Sequence, residues 1–140
     1  KSGYYKDWPI RKFLELRKKI KISNISILGL TYKPDTDSLK NSPSLELITR
    51  LKKKYSLTLY DPVIKKLKSK EYNFSDSISD SIKNAQLIFI MTPWSHFKTL
   101  NSKRLIKILK KKIIIDPFGV MNDKSLIKNN KKYFSIVNNT

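Results

Sequence analysis

Cysteine is absent from the 140 residues and histidine occurs once, at His96. Without a thiol there is no disulfide, no thiolate metal site and no cysteine nucleophile. A single imidazole also argues against a histidine-built metal centre or a Ser-His-Asp relay. Glycine is nearly as scarce, with Gly3, Gly29 and Gly119 alone. The G-x-G-x-x-G turn that lets backbone approach a pyrophosphate cannot be assembled from these. No apolar run approaches the length needed to cross a bilayer, and no signal-peptide pattern opens the chain. A cytoplasmic protein with no membrane partner is therefore expected. The opening "KSGYY" does not resemble a natural start, which reads as a fragment of a longer protein.

Arginine is the last scarcity. Of 30 basic residues only Arg11, Arg17, Arg50 and Arg104 are arginine, although the net charge is +19. Specific nucleic-acid readers enrich arginine for bidentate contacts, so a nucleic-acid partner is not the favoured reading. The lysine runs at 52–54 and 110–112 fall where helices are expected to end, and there cations favour the helix dipole. What the chain does have is an ordinary globular composition, 39% hydrophobic and 11% aromatic, which supports a folded core.

Strand and helix patterns alternate. "DWPIRKFLELRKKI" reads as an opening helix with Asp7 near its cap and Ile10, Phe13, Leu14 and Ile20 on one stripe. "NISILGL" (24–30) is a short, nearly continuous apolar run, as in a strand buried on both faces. Ser42 followed by Pro43 signals a helix start, with Leu45, Ile48, Leu51 and Tyr55 on its buried side. Then follow a strand "SLTLYDP" (56–62), a short basic helix over 63–69, and a weak strand near Tyr72–Phe74. "DSISDSIKNA" reads as a helix, "QLIFIMT" (86–92) as a buried strand and "NSKRLIKILK" as a helix. "KIIIDPFG" is a strand, "DKSLIKNN" a helix and "KYFSIV" a strand. The expected fold is α/β, a Rossmann-like parallel sheet of about five to six strands with helices on both faces.

Ligands of such sheets bind outside the strand carboxyl ends, near the reversal of strand order. That rule puts 31–42, Asp61, 92–97 and 116–119 along one edge. The segment "ILGLTYKPDTDSLKNSPSLELI" (27–48) spends about a dozen residues between strand and helix. A plain connection needs fewer, and long ordered loops at strand ends tend to bind.

"ILGLTYKPDTDSLKNSPSLELI", "YDP", "MTPWSHF" and "IIIDPFG" together resemble the C-terminal, UDP-binding domain of the UDP-glucose/GDP-mannose dehydrogenase family. The likeness spans roughly residues 24–136. Its motif positions are Leu28-Gly29, Tyr32-Lys33, Thr36-Asp37-Ser38, Lys40 and Ser42-Pro43-Ser44. The resemblance implies that Tyr32 and Lys33 contact a nucleotide sugar, UDP- or GDP-linked. It implies that Lys40 stands where the family has an Arg reaching NAD; lysine keeps the charge but loses the planar fork. Ser38 replaces the second Asp of the usual Thr-Asp-Asp. The late-strand Arg role is not carried over, because Phe118 lies near that position.

The resemblance further implies a whole enzyme that oxidises the sugar C6 hydroxyl to a carboxylate with NAD, for polysaccharide biosynthesis. Its catalytic Cys and glycine-rich NAD turn belong to N-terminal and central domains, and the enzyme is expected to be a homo-oligomer. On this reading 1–22 is a linker helix from the central domain and 23–140 the nucleotide-sugar-binding domain, inactive by itself. NAD would be bound mainly by the absent N-terminal domain. Structural readings stand beside these. Thr36 and Asp37 suit loop capping, Ser42 a helix cap, and Asp61 either a ribose-binding acid or a strand stop. Trp94 and Phe97 suit packing, His96 an exposed or packed position rather than a catalytic one, and Asp116 a cap for the following helix. A stand-alone nucleotide-binding or regulatory module, or a basic nucleic-acid-binding domain, are the alternatives.

Overall fold

A computed structural model describes residues 2–68, 72–128 and 132–137. Helix α1 (Ser2–Arg17) precedes β1 (Asn24–Leu28), and α2 (Pro43–Leu51) leads to β2 (Ser56–Tyr60) and β3 (Asn73–Phe74). Then come α3 (Ile78–Lys83), β4 (Leu87–Ile90), a 3-10 helix (Ser95–Asn101) and α4 (Lys103–Leu109). Strand β5 (Ile113–Ile115), α5 (Lys124–Lys128) and β6 (Tyr133–Phe134) complete the order. The six strands form one sheet in the order β3-β2-β1-β4-β5-β6, and every pairing is parallel.

Side chains alternate between the faces, as a period of two requires. Ile25, Ile27, Leu57, Leu59, Leu87 and Phe89 face one core, which α1 and α2 cover with Phe13, Leu47, Ile48 and Leu51. Leu28, Tyr60, Ile88 and Ile90 face the other, covered from α3 and α4 by Ile82, Leu105, Ile106 and Leu109. Both sides of β4 are buried, which is why "QLIFIMT" reads as an uninterrupted apolar run. Each such Ile, Leu or Phe contributes roughly 1.5–3 kcal/mol on burial.

Four expectations are corrected. Helix α1 begins before Asp7, so Pro9 lies inside it. One lost N–H is tolerated because Ile10 and Phe13 of the next turn are buried. Ile20 lies past the helix end and is exposed. No helix forms over 63–68, while position 69 of that expectation lies outside the described residues. Ile64 and Leu67 there pack on the core beside β2 instead, and that packing overrides the local helical pattern. On α2 it is Leu47, with Ile48 and Leu51, that is buried, whereas Leu45 is half-buried.

Candidate functional site

Strand order reverses at β1, whose neighbours are β2 and β4, so the sheet's switch point lies between the carboxyl ends of β1 and β4. The root of the 31–42 loop is stapled there. Gly29 has φ +93°, and a Cβ on it would stand 2.5 Å from Thr92 Oγ1. Only glycine serves a position with both constraints. Thr92 Oγ1 donates to the Thr31 carbonyl at 2.7 Å, which ties the exit of β4 to that of β1.

The far end of the loop returns to the same place. Ser42 Oγ accepts the Leu45 N–H at 3.2 Å as the α2 cap and donates to the Leu30 carbonyl at 2.5 Å. Ser44, fully buried, donates to the Gly29 carbonyl at 2.7 Å. Ser-Pro-Ser is thus a cap and two anchors. The helix-cap role of Ser42 follows from sequence. The anchoring by Ser44 and Thr92 does not, because their acceptors lie 15 and 61 residues away.

Between these anchors the chain turns outward. Thr31 Oγ1 donates to the Lys33 carbonyl at 2.7 Å. Thr36 Oγ1 accepts the Ser38 N–H at 3.1 Å, and Ser38 Oγ accepts the Lys40 N–H at 3.3 Å. Such hydroxyl turns hold a loop without secondary structure. Asp35 and Asn41 have positive φ (63° and 59°), which these short polar residues tolerate. The three sequence-predicted binding residues all lie on this loop. Tyr32 is 48% exposed, and Lys33 and Lys40 are exposed. Large hydrophobics are exposed on two neighbouring loops of the same edge, Val63 after β2 and Phe118 after β5.

Two Asp-Pro corners complete the edge. Asp61 ends β2 and is buried. Its Oδ1 accepts the Leu30 N–H at 2.8 Å, and its Oδ2 accepts those of Val63 at 2.9 Å and Ile64 at 2.8 Å. The strand-stop reading therefore holds over the ribose-binding one. Asp116 does not cap the following helix. It accepts from Val120 N at 3.0 Å, Met121 N at 2.8 Å and the Tyr133 hydroxyl at 2.7 Å. Asp123 takes the cap role, accepting from Ser125 N and Leu126 N. Burial pushes the Asp116 carboxyl above its ordinary range, and its hydrogen bonds from Met121, Tyr133, Val120 and Gly119 partly offset that.

Trp94 and Phe97 are buried, as expected. Exposed His96 meets the Tyr60 hydroxyl at 3.0 Å. Burial, and then the Asp61 charge, raise the pKa of that hydroxyl. The space beside Gly29 is filled by Thr92, and both oxygens of Asp61 are taken by backbone amides. Among the described residues, no group of three His, Cys, Asp or Glu could hold a metal ion, and no helix is long and apolar enough to cross a membrane. The edge offers an exposed aromatic, two exposed lysines and a loop held at its root, which is equipment for binding.

Comparison with known proteins agrees with that geometry. The model of the UDP-glucose/GDP-mannose dehydrogenase family, UDP binding domain, matches residues 26–123. UDP-glucose 6-dehydrogenase of Rickettsia conorii is 33% identical over 123 residues, 84% of this chain and 28% of that protein. Among solved structures, UDP-N-acetyl-mannosamine dehydrogenase from S. aureus superposes with a TM-score of 0.72 at 23% identity, over 97% of this chain and 31% of that one. A UDP-glucose dehydrogenase from Pyrobaculum islandicum gives 0.70 at 17% identity, over 99% and 30%. These two likenesses show the fold. The chain spans less than a third of the length of each of these three proteins. By its match over 26–123, it belongs to the UDP-glucose/GDP-mannose dehydrogenase family, as the UDP binding domain.

Proposed function

We propose that this chain is the nucleotide-sugar-binding part of an NAD-dependent UDP-sugar 6-dehydrogenase, and that 31–42 is its ligand loop. The observation that carries this reading is the family match across a loop whose two ends are pinned and whose middle is exposed. On it, Tyr32 packs against the ligand and Lys33 donates a charge-assisted hydrogen bond to its diphosphate or ribose. Lys40 reaches NAD held by other domains of the longer enzyme. Residues 1–22 then form the link from a central domain, and 23–140 the binding domain. The reaction itself, oxidation of a sugar C6 hydroxyl, belongs to that longer, cytoplasmic and oligomeric enzyme. Its cysteine chemistry has no counterpart in this sequence.

The test is a UDP titration of the 140-residue chain followed by amide chemical shifts. Shifts at Tyr32, Lys33 and neighbouring loop amides are expected, with weak affinity because contacts from the other domains are missing. Sub-micromolar affinity would favour a stand-alone module, and shifts confined to other surfaces would remove the loop from the site. The chain mixed with NAD and a nucleotide sugar is expected to yield no NADH. Steady turnover would overturn the division of labour.

A further inference from the structure

The acids in the strand connections gather at one edge of the sheet, whereas lysines stand at both. Six of the eleven acids, Asp35, Asp37, Asp61, Asp76, Asp116 and Asp123, lie in connections leaving strand carboxyl ends. At the opposite edge the chain passes from helix to strand. There "KKIKIS" (18–23), "KKKY" (52–55) and "KKK" (110–112) hold nine lysines and no acid. Seven of the nine are exposed; Lys52 and Lys112 are half-buried. Lys112 has a structural task, donating to the carbonyls of Lys83 and Ala85 past the end of α3.

The helix dipole accounts for part of this pattern. Its influence falls off within the last turn, yet Lys21 and Lys54 stand well beyond the ends of α1 and α2. The topology does the rest, because a parallel sheet brings every helix-to-strand connection to one edge. Near that rim a hollow of about 250 Å³ is lined by Lys110, Lys112, Lys132 and Ser125, over Ile114 and Leu126. Two exposed lysines, Lys110 and Lys132, beside an apolar floor suit a phosphodiester with its carbon chain. The three segments hold no arginine, so they lack the fork that reads bases bidentately. Compact, mobile point charges instead suit a diffuse anionic plane.

We propose that the amino-terminal edge of the sheet docks on an anionic phospholipid bilayer, with the hollow beside Lys110 and Lys132 taking a headgroup phosphate. Docked in this way, the chain keeps its carboxyl edge, with the 31–42 loop, facing away from the lipid.

The test is co-sedimentation of the 140-residue chain with vesicles of phosphatidylcholine, pure or with a third of the lipid as phosphatidylglycerol. Binding is expected to the mixed vesicles and not to the pure ones. The triple variant Lys53→Gln, Lys54→Gln and Lys111→Gln should lower partitioning roughly a hundredfold, at about fivefold per lysine. A control triple, Lys66→Gln, Lys98→Gln and Lys103→Gln, removes equal charge from exposed positions beyond strand carboxyl ends and should leave partitioning within about threefold of the parent. Equal losses in the two triples would mean attraction by net charge alone and overturn the docking surface. So would failure to bind the mixed vesicles. Tighter binding to duplex DNA at matched phosphate concentration would overturn the choice of lipid.

Discussion

The corners after β2 and β5 are spelled alike, Asp61-Pro62 and Asp116-Pro117, and both carboxyls are buried and accept several hydrogen bonds. They differ in what they hold. Asp61 accepts only backbone N–H groups, and one of them, Leu30 N, belongs to the root of the 31–42 loop. Asp116 holds its own loop through Val120 and Met121 and reaches the edge strand through the Tyr133 hydroxyl. Place in the sheet makes the difference. β2 lies beside β1, where the 31–42 loop starts, whereas β5 lies beside the edge strand β6. A dipeptide motif therefore names a corner but not its duty; strand order assigns that.

The comparison can be broken most forcefully at Asp116. Asp116→Ala takes the acceptor from the Val120 and Met121 amides and the shorter of two hydrogen bonds from the Tyr133 hydroxyl, at about 1–3 kcal/mol for each buried group. A loss of about 3–5 kcal/mol in denaturant unfolding is expected, while UDP-induced shifts of the 31–42 loop in the surviving folded fraction stay in place. Asp61→Ala should cost less, about 2–4 kcal/mol, because two of its three hydrogen bonds, from Val63 and Ile64, are part-buried, against the one from Val120 at Asp116. It should, however, also weaken UDP binding, since the loop root loses a partner. Equal effects of the two variants on binding would show that the corners are interchangeable.

The pH dependence sharpens the contrast at smaller amplitude. Burial raises the Asp116 carboxyl above 3.8. The stability it contributes as a neutral group is whole below that value and is lost as the pH rises through the folded one. The wild type should therefore lose stability relative to Asp116→Asn as the pH rises from 3.8 through the folded value. A wild type that instead gains stability relative to Asp116→Asn as the pH rises would reverse the assignment. The smallest effect on folding is expected at the loop tip. Lys33→Ala should change stability by less than about 0.5 kcal/mol. In the longer enzyme it should raise the nucleotide-sugar KM about ten- to hundredfold, the worth of one charge-assisted hydrogen bond. An unchanged KM would mark Lys33 as a solvated surface residue.

Much of this architecture was legible because its signals are local. "LIFI" could only be a buried strand, and Ser42-Pro43 could only start a helix. The segment after Pro62 misled for the same reason. "VIKKLK" has helical spacing, but Ile64 and Leu67 pack on the core instead. The site's exposed half, Tyr32, Lys33 and Lys40, lies within nine residues and could be read from them. Its anchored half could not. Thr92 to Thr31, Asp61 to Leu30 and Tyr133 to Asp116 join positions 61, 31 and 17 apart. No local pattern encodes such pairs; only the sheet order brings them together.

The close approach of Gly29 to Thr92 bears on mechanics. With no side chain on one strand exit and a hydroxyl bridging from the other, the two halves of the sheet are latched at the line where they could otherwise open like a book. A latched seam does not hinge. When a ligand settles on this edge, any large displacement has to be rigid-body rotation of the domain as one block or rearrangement of the loop tip.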